Sequence, residues 1–83
     1  MRARIYVTLK KGVLDPQGKA VMGALGSMGF NEVKDVRVGK FMEVELDGAS
    51  PEAAEKRLRD MCEKLLANTV IENYRIELEA TSL

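Results

Sequence analysis

The spacing of apolar residues switches between a period of two and a period of 3.6 along this chain, and the order of those switches limits its fold more than any other feature. Residues 2–9 alternate strictly, with Ala3, Ile5, Val7 and Leu9 on one face and Arg2, Arg4, Tyr6 and Thr8 on the other. That is the pattern of a half-buried strand. From Pro16 to Met28 the apolar positions Val21, Ala24, Leu25 and Met28 fall on one face of a helix, and Gly29 follows as a left-handed C-cap. Glu32 to Leu46 reads as a hairpin: Val36 and Val38 alternate up to Gly39-Lys40, then Met42, Val44 and Leu46 alternate away. A two-residue loop with glycine first suits a type II′ turn. After an Asp47-Gly48-Ala49 loop, Ser50-Pro51 marks a second helix start, with Glu52 and Glu55 near the positive end of the helix dipole. Ala54, Leu58, Met61 and Leu65 make its stripe, Cys62 lies beside it, and Asn68 is placed to end it. From Glu72 to Ala80 the period returns to two, with Tyr74, Ile76, Leu78 and Ala80 on one face.

Strand, helix, strand, strand, helix, strand, joined by right-handed crossovers and one hairpin, is a ferredoxin-like split β-α-β-β-α-β arrangement. The expected class is α+β, an antiparallel sheet with two helices on one face, in a single domain over residues 1–83. Eighty-three residues lie near the lower end of what folds alone.

One stretch carries unusual punctuation: Gly12-Val13-Leu14-Asp15-Pro16-Gln17-Gly18-Lys19-Ala20-Val21. Asp15 is an N-cap, and proline at the first helical position lacks only an N–H that would have no partner there. Gly18 lies one turn into the helix, where glycine costs about 1 kcal/mol relative to alanine. Some close approach therefore requires a bare backbone at Gly18. The stretch is neither GxxxxGK[ST] nor GxGxxG, so its glycines do not spell a nucleotide loop.

Composition removes most enzymatic readings. The chain has no histidine and one cysteine, which excludes His-based general bases, Ser–His and Cys–His pairs, an intrachain disulfide, and a zinc site of the usual ligands from one chain. An acylphosphatase-like reading fails because only Lys19 stands near Gln17-Gly18, where a bidentate arginine is needed for a phosphoryl oxygen. An RNA-binding reading would use Tyr6 and Phe41 on the outward sheet face. Glu43, Glu45, Glu77 and Glu79 surround them, and thirteen basic residues are cancelled by thirteen acidic ones. Those carboxylates are expected to pair across strands with Arg2, Arg4, Arg37 and Arg75. No apolar run reaches the roughly 20 residues of a membrane span, and the first residues enter a strand pattern, not a signal-peptide core. The expected compartment is the cytoplasm, without nucleic-acid or membrane partners.

Three blocks in order, Val7-Thr8-Leu9-Lys10 running into GVLDPQGKAV, DVRVGKF at 35–41 and LANTVIENY at 66–74, make the chain resemble the PurS family. That family is the small subunit of the three-part phosphoribosylformylglycinamidine (FGAM) synthase of purine biosynthesis. The resemblance implies two larger partners, a glutaminase subunit and an ATP-dependent synthetase subunit, that the small subunit bridges while assisting ammonia transfer. It implies no catalytic, cofactor or metal residue on this chain, with ATP and Mg on the large synthetase subunit. The family's closing motif reads closer to LANPVIEDY, so Thr69 and Asn73 are departures. The alternative is an ACT-like regulatory module that binds a small metabolite at a dimer interface.

On either reading the chain is built for association. A sheet with helices on one side leaves its other face and two edges uncovered. The interface candidates are Asp15, Pro16, Gln17, Gly18 and Lys19 at the first helix start, with Tyr6 and Phe41 on the outward face. Self-association as a dimer or tetramer is expected from small size and these exposed groups.

Overall fold

The computed structural model describes residues 1–48 and 50–79. Strand β1 (Arg2–Leu9) lies in the middle of an antiparallel sheet, between β2 (Lys40–Glu45) and β3 (Glu72–Glu79), in the order β2-β1-β3. Helix α1 (Pro16–Ser27) joins β1 to β2, and α2 (Pro51–Met61) with a π-helical turn (Cys62–Leu66) joins β2 to β3. The register places Ile5 opposite Met42 on one side and Ile76 on the other. Ala3, Ile5 and Val7 are fully buried with Leu58 and Cys62, so the alternation in β1 builds the core against α2. Ala49 and Ala80, expected in a loop and at the end of the last strand, lie outside the described residues.

The α+β class and the antiparallel sheet are as expected, and three details differ. The first strand of the expected hairpin does not form: residues 33–39 are non-strand, so β2 is unpaired on its outer edge among the described residues. The arrangement is the ferredoxin-like order with one edge strand left out. Gly39 has no positive φ, so it does not make a type II′ turn. Its lack of a side chain serves another end, because a Cβ there would collide with the Val7 carbonyl oxygen.

The second difference concerns α2. At 3.6 residues per turn Leu65 would continue the buried stripe, but the Ala67 N–H reaches back to the Cys62 carbonyl at 3.0 Å, an i→i−5 bond. The extra residue in that turn moves Leu66 and Ala67 to the core, while Leu65 is 83% exposed. Asn68 shapes the following turn instead of capping the helix. Its carbonyl accepts from Ile71 and Glu72, and its side chain accepts from Val70.

The third difference is where α1 goes. It closes as expected, with Gly29 at φ 97° and the Phe30 N–H donating to the Leu25 carbonyl. Yet among the described residues α1 packs substantially on no strand and not on α2. The radius of gyration, 16.4 Å, exceeds the roughly 12 Å of a compact chain this long. Among the described residues the apolar face of α1 is therefore left largely uncovered: Leu25 is half-buried, but Val21 and Met28 are exposed, as are the flanking Leu14 and Phe30.

Candidate association site

The start of α1 is built from the residues upward by one carboxylate. Asp15 is 5% exposed, in the non-helical geometry of an N-cap. Its Oδ1 accepts the Gly18 N–H at 2.9 Å, satisfying a first-turn donor, and its Oδ2 accepts the Val38 N–H at 2.8 Å. These two donors, Val38 foremost, hold the Asp15 carboxyl below the usual carboxylate range. Gly18 is buried, and a Cβ on it would collide with the Val36 carbonyl oxygen. The bare backbone that the sequence demanded at Gly18 thus receives a segment of its own chain.

Arg37 closes the same cluster. It was expected to pair with a carboxylate across the sheet. Instead its guanidinium donates to the carbonyls of Val13 and Lys10, both at 3.1 Å, and so ties down the loop before α1. Asp15 takes the Val38 N–H and the Asp35 side chain takes the Val36 N–H, two backbone donors that a strand ladder would have drawn on where the expected hairpin strand is missing. Pro16, Gln17 and Lys19 are exposed around this core. An open groove of about 380 Å³ runs beside them, lined by Leu14, Pro16, Gln17, Val38 and Ile71 among others.

On the outer face of the sheet, Tyr6 and Phe41 stand opposite each other in register with ring centroids 5.1 Å apart. The Arg75 guanidinium lies 4.2 Å from the Tyr6 ring centroid, and the Tyr6 hydroxyl donates to Glu77 at 3.1 Å. Arg75 also pairs with Glu77, and with the Tyr6 hydroxyl it lowers the Glu77 carboxyl below its ordinary value. Arg2 bridges Glu45 at 3.0 Å and Arg4 pairs with Glu79, so this face is a network of charges around one aromatic pair. The structure brings Tyr6 to Phe41 and Asp15 to Gly18, and among the described residues no hydrogen bond or ion pair joins the two groups.

Sequence reasoning missed Val36, Arg37 and Val38 as part of the α1 start, and missed exposed Leu65, Val70 and Ile71. Only the i→i−5 turn turns Leu65 outward, and no periodic signal announces such a turn. Among the described residues no group of three histidine, cysteine, aspartate or glutamate side chains is arranged to hold a metal ion. Burial raises the Cys62 thiol above its ordinary value, which leaves it a protonated core residue.

The comparisons with known proteins agree with this architecture. Residues 2–80 match the family model for PurS, phosphoribosylformylglycinamidine (FGAM) synthase. The PurS subunit of that synthase from Bacillus subtilis is 55% identical over 78 residues, covering 94% of this chain and 92% of the relative. The crystal structure of Methanocaldococcus jannaschii PurS superposes with a TM-score of 0.88 at 38% identity, covering 98% of each chain. A chain of the PurLQS structure from Thermotoga maritima superposes with a TM-score of 0.84 at 30% identity, covering 92% of this chain and 93% of that one. This chain belongs to the PurS family of FGAM synthase subunits.

Proposed function

We propose that the chain acts as the non-catalytic bridging subunit of FGAM synthase, joining a glutaminase subunit to an ATP-dependent synthetase subunit and assisting the passage of ammonia between them. The observation that carries this reading is the exposed apolar face of α1, on a chain whose sheet also leaves the edge of β2 open. The chain exposes 6298 Å², against roughly 4,900 Å² for a compact monomer of its mass. The excess, roughly 1,400 Å², is more than the about 800 Å² that one partner contributes to a standard interface. Val21, Met28 and Phe30 would each gain about 1.5–3 kcal/mol on full burial. Such a face is stable in solution only when something covers it.

A second copy of the chain is the first cover for α1 in this reading, giving a dimer or tetramer, and the larger subunits then dock on the assembled unit. ATP and Mg belong on the synthetase subunit. Ammonia released from glutamine must reach the amide of formylglycinamide ribonucleotide without escaping to solvent, and a subunit that clamps two enzymes together shortens and shields that path. The cytoplasm is the compartment where these substrates would meet. Reconstitution tests the reading. The two larger subunits alone should use added ammonia but couple glutamine hydrolysis poorly to product, and adding this chain should restore coupling. If glutamine-dependent synthesis is equally fast without it, the bridging role is wrong.

A further inference from the structure

Within its own chain and among the described residues, helix α1 reaches no other helix or strand substantially, so the contacts at its first turn bear most on its direction. We propose that Asp15 is the positioning residue that sets it, by holding α1 and the strap of residues 36–39 in one carboxylate and so making helix and strap a single rigid arm on the sheet. The path of contacts is continuous. Asp15 Oδ1 takes the Gly18 N–H of α1, and Oδ2 takes the Val38 N–H of the strap. The strap presses against α1 where the Val36 carbonyl meets Gly18, and against the sheet where Gly39 meets the Val7 carbonyl. Arg37, from the same strap, fixes the carbonyls of Lys10 and Val13 between β1 and the helix. Two glycines, one at each end of this path, admit the close backbone approaches it needs.

An N-cap alone needs one acceptor oxygen, and serine or asparagine supplies that. The second oxygen is what distinguishes a clasp from a cap. The inference concerns what its own chain contributes to holding α1, and it is tested on the full chain by amide hydrogen exchange and residual dipolar couplings. A second copy over α1 would also hold its direction, so the couplings are read at dilutions where the chain sediments as a monomer. In the unmutated protein the amides of Gly18 and Val38 should show protection factors, each corrected for its own intrinsic rate, within about threefold of each other, because one opening event exposes both. In Asp15→Ser the Gly18 amide should keep its protection while the Val38 amide exchanges at least tenfold faster. The couplings of α1 should then no longer fit the alignment tensor of the sheet, whose own couplings stay unchanged. Protection factors for Gly18 and Val38 that differ tenfold in the unmutated protein overturn the proposal, even if the variant fails to fold. So does a folded variant in which α1 still shares the tensor of the sheet.

Discussion

The Tyr74 hydroxyl donates to Glu63 Oε2 at 2.7 Å, joining β3 to the π-helical turn that interrupts the second helix. The bond ties the last strand to the turn that ends the second helix. Glu63 holds the phenol proton and so raises the Tyr74 pKa above its ordinary value of 10.0, with burial adding to the effect.

For an acid whose neutral form is held, stability is fully present below the unfolded value and is lost as pH rises through the higher folded value. Absorbance titration of a Tyr6→Phe protein, which isolates Tyr74, should give a midpoint above 10, and Glu63→Gln should lower it. Tyr74→Phe should cost about 1 kcal/mol at neutral pH, read from urea unfolding. A midpoint that Glu63→Gln leaves unmoved would show that the bond is absent in solution.

Asp15 shows the opposite sign. Its carboxyl is depressed below 3.8 in the folded chain, so its contribution is present above that value and fades as pH falls through the folded pKa. Asp15→Asn should melt lower than the unmutated protein at pH 7. The gap should narrow steadily below about pH 4, the ordinary aspartate range. Thermal melts between pH 2 and pH 7 measure it, and a gap that is constant across this range contradicts the clasp geometry.

The core prediction separates neighbouring leucines. Leu58 is fully buried, and Leu58→Ala should cost about 2–5 kcal/mol. Leu66 packs at the margin of the core and Leu65 is exposed, so Leu66→Ala should destabilise measurably while Leu65→Ala stays within about 0.5 kcal/mol. Urea unfolding of the three variants decides it. The reverse order for the last two would mean that the helix continues without its π turn.

These contrasts show what was legible beforehand. The alternation in β1 was readable because one face is buried, although the register with its two neighbours was not. The pattern at Val36 and Val38 is the same alternation, but the Asp15 carboxylate takes the Val38 N–H and the segment becomes a strap. Local periodicity does not report such a competitor from another part of the chain. Gly18 was readable as a point of close approach, though the approaching backbone could not be named. Leu65 was misplaced for a simpler reason: one inserted residue rotates everything after it by about 100°. On the outer face, strand parity alone put Tyr6 and Phe41 on the same side, whereas their pairing depends on the register of β1 with β2.

The last prediction concerns α1, whose apolar face stands clear of its own sheet. Val21→Glu and Met28→Lys put charges on that face at exposed positions, so neither should disturb the core formed by β1, β2, β3 and α2. Each variant should keep the circular dichroism of the unmutated chain. If a second copy covers the face, the buried charge penalises association, and sedimentation at micromolar concentration should shift toward the 9.2 kDa monomer. The same variants should then restore less glutamine-dependent synthase activity to the larger subunits, because the assembled unit on which they dock is gone. A variant that sediments as the unmutated protein does but fails to restore activity would assign the face to a larger subunit. A variant that is normal in both assays would show that the face stays uncovered, and the association reading of α1 would fail.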